Sequence, residues 1–95
     1  MEKLIAIRTF CSSHKIDVNF VYSIYESGLI EIIKQEEDEF IEETQLPALE
    51  KSVRLHRDLH INSEGIAAIF RLLEQVDSLQ EEINRLRNRL EIYER

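Results

Sequence analysis

The chain has no tryptophan, one cysteine, one proline and two glycines in 95 residues, and each shortage excludes something. A lone Cys11 closes no internal disulfide, so the chain is not a disulfide-stapled secreted scaffold and suits a reducing cytoplasm. Two glycines, Gly28 and Gly65, leave no phosphate-cradling loop, and no serine stands in a nucleophile-elbow context. The many carboxylates lie in an exposed stretch where little would move their pKa values, so the chain does not read as an enzyme and calls for no cofactor. No apolar run approaches the roughly 20 residues of a membrane span. Met1 to Ile7 also lacks the long apolar core and small-residue cleavage site of a signal peptide. Bases are scarce as well: 12 Lys and Arg against 19 Asp and Glu give a formal charge of -7, which disfavours nucleic acid as the main partner and favours a basic one.

What is present reads as one modest domain of short elements followed by one long helix. Leu4 to Ile7 form an apolar strand candidate, and Arg8 to His14 a short helix with Phe10 and Cys11 inward. A second helix starts with Asp17 as N-cap and stops at Gly28, the residue type best suited to a left-handed C-terminal position. Leu29 to Gln35 and Glu39 to Glu42 read as a hairpin around Glu36, Glu37 and Asp38, although no Asn-Gly or Asp-Gly turn supports it. Thr44 or Gln45 opens a third helix with Pro47 in its first turn, running to about Leu59.

Asn62 caps a fourth helix that continues to Arg95. Within it Ile69, Leu72, Val76, Leu79, Ile83, Leu86, Leu90 and Tyr93 alternate in steps of three and four, which is a heptad seam. Leu79 to Tyr93 would project beyond so small a core, so the seam from Leu72 to Tyr93 is expected to pair with a second copy in a homodimer. Glu82 with Arg87, and Arg89 with Glu94, are complementary in a parallel pair.

The stretch KQEEDEFIEE, residues 34 to 43, adds the strongest charge signal. Between residues 16 and 45 the single base Lys34 faces Asp17, Glu26, Glu31, Glu36, Glu37, Asp38, Glu39, Glu42 and Glu43. The polar face of the second helix, Asn19, Ser23, Glu26 and Ser27, carries no base. DNA affinity rests on phosphate neutralisation by Lys and Arg, so a DNA-contacting role meets the wrong sign here.

IRTFCSSHKIDVNFVYSIYESGLI resembles the N-terminal segment of MerR-type regulators in its Tyr25, Glu26, Gly28 and Leu29. Those regulators carry an arginine two residues before the tyrosine, where this chain has Ser23. The second half, KSVRLHRDLHINSEGIAAIFRLLEQVDSLQEEINRLRNRL, is similar to the chaperone-binding modulator family, CbpM, through Arg54, Leu55, Asp58, Leu59, Asn62, Gly65, Ile66, Ala67, Leu86, Arg87, Arg89 and Leu90. The resemblances imply a mainly α fold with a small β wing: a MerR-like winged helix-turn-helix over residues 1–61, then a long coiled-coil dimerisation helix over 62–95 packed on it as one unit. MerR-type pairing is antiparallel, so the orientation of the pair stays open.

CbpM-type proteins, the resemblance further implies, bind the J-domain of a DnaJ/CbpA-type co-chaperone and block its work with DnaK. A J-domain presents a basic helix, and an acidic wing would meet it with opposite potential. The candidate contact residues are Glu36, Glu37, Asp38, Glu39, Phe40, Glu42, Glu43 and Leu46, with Phe40, Ile41 or Leu46 as apolar anchor. The alternative is a dimeric MerR-like transcription regulator drawing its bases from Lys3, Arg8, Lys15 and the helix after Thr44. Cys11 with His14, and His56 with His60, supply enough ligand types for zinc, but the inward Cys11 and the separate His pair argue against a site. Metal or drug sensing of the MerR type lacks the cysteine-rich loop it would need after the long helix.

Overall fold

The computed structural model of the chain describes residues 3–94. In chain order it contains β1 (Leu4–Ala6), α1 (Ile7–His14), α2 (Val18–Glu26), β2 (Ile33–Gln35), β3 (Asp38–Glu42), a 3-10 turn (Glu43–Gln45), α3 (Leu46–Leu59) and α4 (Ser63–Glu94). Arg95 and the side chain of residue 94 lie outside what is described, so the expected end of the last helix at Arg95 and the Arg89 to Glu94 complementarity do too.

The order of elements follows the sequence signals, with shifts that have local causes. Ile7 leaves the expected strand and opens α1, because the chain turns at the extended Ala6 (φ -65, ψ 133) and Ile7 drops into the core with 3% of its surface exposed. Lys15, at φ 53, takes the left-handed C-cap and closes α1 on the Cys11 carbonyl. In α2 the Asp17 carboxylate accepts from the Asn19 N–H at 2.8 Å. That helix ends with Gly28 at φ 87, its N–H donating to Tyr25 O at 3.0 Å, a conformation that favours glycine.

The hairpin is shorter than Leu29 to Gln35 suggested. Ile30 is pulled into the core, and the Glu31 N–H donates to Gln45 Oε1 at 2.7 Å instead of to a strand, so only Ile33–Gln35 remain to pair. The turn is made without glycine or asparagine by Glu36 and Glu37, with Glu36 at φ 58. β3 is the central strand of an antiparallel sheet of order β1-β3-β2. Leu46 rather than Thr44 or Gln45 begins α3, after the 3-10 turn, and Pro47 sits in its first turn where no N–H is required. His60, at φ 56, ends the helix, and Arg57 bridges back to the His14 and Lys15 carbonyls, pinning α3 to the end of α1.

One core joins all of this. Ile7, Phe10, Val21, Ile24, Ile30, Ile41, Leu49, Val53 and Ile66 pack together from the inner faces of the helices and one face of the sheet. Ile66 is the contribution of α4, whose start is fixed by Asn62 Oδ1 accepting from the Gly65 N–H at 2.8 Å. Beyond Phe70 the helix leaves the body, and every residue from 71 to 93 is exposed. Its 32 residues span about 48 Å at 1.5 Å each. The radius of gyration is accordingly 17.9 Å, where a compact domain of this size has about 12 Å.

Candidate functional site

The acidic residues singled out in the sequence do not form one uniform surface. Strand alternation divides them. Ile41 is fully buried and Glu39 accepts a hydrogen bond from the Tyr22 hydroxyl on α2, so these two face the helices. Asp38, Phe40 and Glu42 therefore face outward. Glu36 and Glu37 form the exposed turn, and Glu43 is exposed in the 3-10 turn. Leu46 is half-buried and packs against the core at the head of α3, away from the hairpin tip. Of the three proposed anchors, Phe40 alone is presented on the outward face; Ile41 has no surface to offer.

Two contacts that sequence reasoning missed bear on the wing. Arg8 reaches across from α1 and pairs with Asp38 at 3.1 Å; both ends are well exposed, so this contact stabilises the fold little but offsets one carboxylate. Tyr22 ties α2 to β3 through Glu39, and that hydrogen bond, followed by partial burial and the nearby carboxylate charge, pushes its phenol above the ordinary value of 10.0. The signal for either was weak, since the partners lie 30 and 17 residues apart in sequence.

α2 stands where a winged helix presents its reading helix, and its outward side bears no cation. Asn19, Tyr25 and Glu26 are exposed. The Ser23 and Ser27 hydroxyls donate to the Phe20 and Ile24 carbonyls of their own helix at 2.6 Å each. A depression between the end of α2 and the approach to β2 is lined by Tyr25, Glu26, Gly28, Ile30, Glu31 and Ile32, again with carboxylates as its charged groups. Such a surface repels a phosphate backbone.

Of the residues considered for zinc, His14 and His56 are engaged at separate places. The His14 ring stacks on Phe10 with centroids 4.1 Å apart, and the His56 ring on Phe20 at 4.6 Å with its Nδ1 3.0 Å from the Ile61 carbonyl. Half-buried Cys11 has its thiol pushed above the usual range by burial and then by the Asp17 charge, the opposite of what a metal-binding thiolate needs.

The heptad seam forms the second surface. Leu72, Val76, Leu79, Ile83, Leu86, Leu90 and Tyr93 line up along α4 and are between 44% and 80% exposed. The spacing read from the sequence falls on one unbroken helix, and within one chain nothing covers these side chains among the described residues.

Residues 5–88 match the family described as MerR HTH family regulatory protein, a span that takes in the wing, α1 to α3 and most of α4. Curated relatives are closer in name. The Chaperone modulatory proteins CbpM of Pseudomonas entomophila (strain L48) and Pseudomonas putida (strain W619) are each 32% identical to the chain over 85 residues, covering 88% of it and 84% of the relative. The corresponding protein of Pseudomonas putida (strain GB-1) is 31% identical over the same shares. The chain belongs to the CbpM family. No solved structure gives a significant match. The CbpM chain thus has a MerR-like helix-turn-helix scaffold in which α2 bears no cation and the hairpin turn is acidic. Among the described residues no helix is long and apolar enough to cross a membrane.

Proposed function

We propose that this protein modulates a chaperone system by binding the J-domain of a DnaJ-type co-chaperone through its acidic wing, thereby keeping that co-chaperone from DnaK. The observation that carries this reading is the sign of the surface. From the helix to the wing, the region that a DNA-binding winged helix would charge positively, Glu26, Glu31, Glu36, Glu37 and Glu43 are exposed, and the relatives of this chain are named chaperone modulatory proteins. Opposite potential accelerates encounter with the basic helix of a J-domain and sets its orientation, while an apolar residue such as Phe40 supplies the anchor. The bare seam of α4 supports pairing of two copies through Leu72, Val76, Leu79, Ile83, Leu86, Leu90 and Tyr93, which would carry two wings on one assembly.

The match to MerR HTH regulators keeps DNA in view as a second reading, but α2 offers a phosphate backbone no cation. The test is direct. Purified protein is titrated with the J-domain of a DnaJ-type co-chaperone from the same bacterium, and the co-chaperone's stimulation of DnaK ATP hydrolysis is followed in parallel. Binding that slows as salt rises, with loss of stimulation, is expected. A J-domain that does not bind, together with a footprint on duplex DNA at physiological salt, would replace this reading with the regulator.

A further inference from the structure

The outward face of the sheet is apolar in its middle and acidic at its margin. Register places Ala6 opposite Phe40 and Phe40 opposite Ile33, with Leu4 opposite Glu42, and directly opposed residues leave a sheet on the same side. Ile41 and Glu39 occupy the helix side, so Leu4, Ala6, Ile33 and Phe40 share the other side. Leu4, Ile33 and Phe40 belong neither to the buried core nor to the side chains packed on it. Each is half-buried. At the hairpin end of the same face a depression is lined by Gln35, Glu36, Glu37, Asp38 and Phe40. At the hairpin end of this floor stand Glu36 and Glu37 as exposed carboxylates; Arg8 is occupied with Asp38, and alternation turns Lys34 to the opposite side.

We infer that this sheet face, and not the wing tip alone, is the seat of a cationic amphipathic helix of the partner, with Leu4, Ile33 and Phe40 as its apolar floor and Glu36 and Glu37 as its charged rim. The inference rests on the J-domain reading and goes further by fixing the surface and the form of the ligand. Three strands about 4.8 Å apart make a platform about 10 Å across, which matches the diameter of a helix with its side chains. An added strand fits poorly, since the edge strands β1 and β2 have three residues each. The apolar floor also distinguishes the occupant from a mere polycation: a helix must bring apolar residues along one stripe and Lys or Arg along its flanks, so that the stripe is desolvated while the charges meet the rim.

The experiment uses the intact chain and the J-domain of a DnaJ-type co-chaperone as probe. In Leu4→Thr with Ile33→Thr the β-branched replacements suit a strand and the charge is unchanged. Affinity should fall at least tenfold while the salt dependence of association stays as in wild type. Glu36→Lys with Glu37→Lys should instead slow association and remove its salt dependence. The melting curve of each variant checks folding, and a measurement on wild type needs no variant at all: on adding the J-domain, the methyl resonances of Leu4 and Ile33 should shift while those of buried Ile24 stay put. A wild-type chain that binds the J-domain with unmoved Leu4 and Ile33 methyls overturns the seat and leaves the proposed function standing. A J-domain that does not bind at all overturns both.

Discussion

The head and the arm of this chain treat apolar side chains in opposite ways. In the head, nine hydrophobic residues, eight from the four helices and the central strand and Ile30 from the segment before β2, close into one core, with Val21, Ile24, Ile41, Leu49 and Ile66 showing no surface. In the arm, residues 71 to 93, leucines, isoleucines and a valine recur at the same density and none is covered. Full burial of such a side chain stabilises by about 1.5 to 3 kcal/mol, so seven seam residues left in water are a large unmet term. The head is a finished fold, whereas the arm presents a bare apolar seam, and a second copy is the cover proposed for it.

The sharpest way to break this contrast is to charge the seam. Leu79→Asp with Leu86→Asp sets two carboxylates into the proposed interface, where unpaired charge is far more costly than in water. With the proposed pairing, wild type should sediment as a dimer and the variant, at the same concentration, as a monomer, while the melting of the head changes little because both residues lie on the exposed arm. A dimer mass that survives the double substitution would mean that the chain pairs elsewhere. Next in size is Leu49→Ala, which removes a fully buried side chain from the head. It should cost roughly 2 to 5 kcal/mol by thermal melting at fixed protein concentration, a large part of the stability of a small domain. A loss below about 1 kcal/mol would show that the core around α3 is less tightly packed than its burial indicates.

How legible the two regions were in the sequence differs for the same reason. The arm declares itself because a heptad repeat runs through many turns, so the spacing of Leu72, Val76, Leu79 and Ile83 alone gives its face. The helices of the head were nearly as clear from Asp17, Gly28, Pro47 and Asn62, each acting within its own turn. The sheet was not. Alternation over strands of three to five residues cannot say which side is inward until pairing sets the register, and Ile7 and Ile30 were drawn from expected strands into the core by contacts distant in sequence. For that reason the acidic stretch read as one surface, when Glu39 and Ile41 turn to the helices and Asp38 and Phe40 away. It is also why Leu4, Ile33 and Tyr22 were overlooked: their relevance comes from partners on other strands or another helix.

A smaller test concerns the hairpin turn that joins the two faces. Glu36 adopts φ 58, a left-handed conformation that costs a residue with a Cβ roughly 1 to 2 kcal/mol relative to glycine. Glu36→Gly should therefore leave stability unchanged or raise it by up to about 1 kcal/mol, because glycine also gains freedom in the unfolded chain. The same change removes a rim carboxylate and should weaken J-domain binding. Stability and binding moving in opposite directions would identify Glu36 as a residue kept for its charge; weaker melting together with weaker binding would make it a structural turn residue.

The smallest effect expected is at the Tyr22 to Glu39 contact, the link between helix α2 and the wing. The hydroxyl donates to the Glu39 carboxylate, and this bond, with partial burial and the carboxylate charge behind it, raises the phenol above its ordinary 10.0. A raised pKa means that the fold favours the protonated phenol. The stabilisation is fully present below the unfolded value near 10 and is lost as pH rises through the higher folded value, where a phenolate would face a carboxylate it can no longer donate to. Wild type compared with Tyr22→Phe should thus show a stability difference that is constant from about pH 8 to 9.5 and shrinks as the pH rises further toward 11.5. Taking the difference between the two proteins cancels the lysines that titrate in the same range. Because the contact is near the surface, the shift in melting midpoint should be no more than a few degrees. J-domain affinity near neutral pH should respond too, since Glu39 released from Tyr22 can swing away from its strand and loosen the wing against α2. A difference curve that stays flat through pH 11.5 would show that the hydroxyl does not hold the wing, leaving the sheet pairing of β3 to position Phe40 and its neighbours unaided.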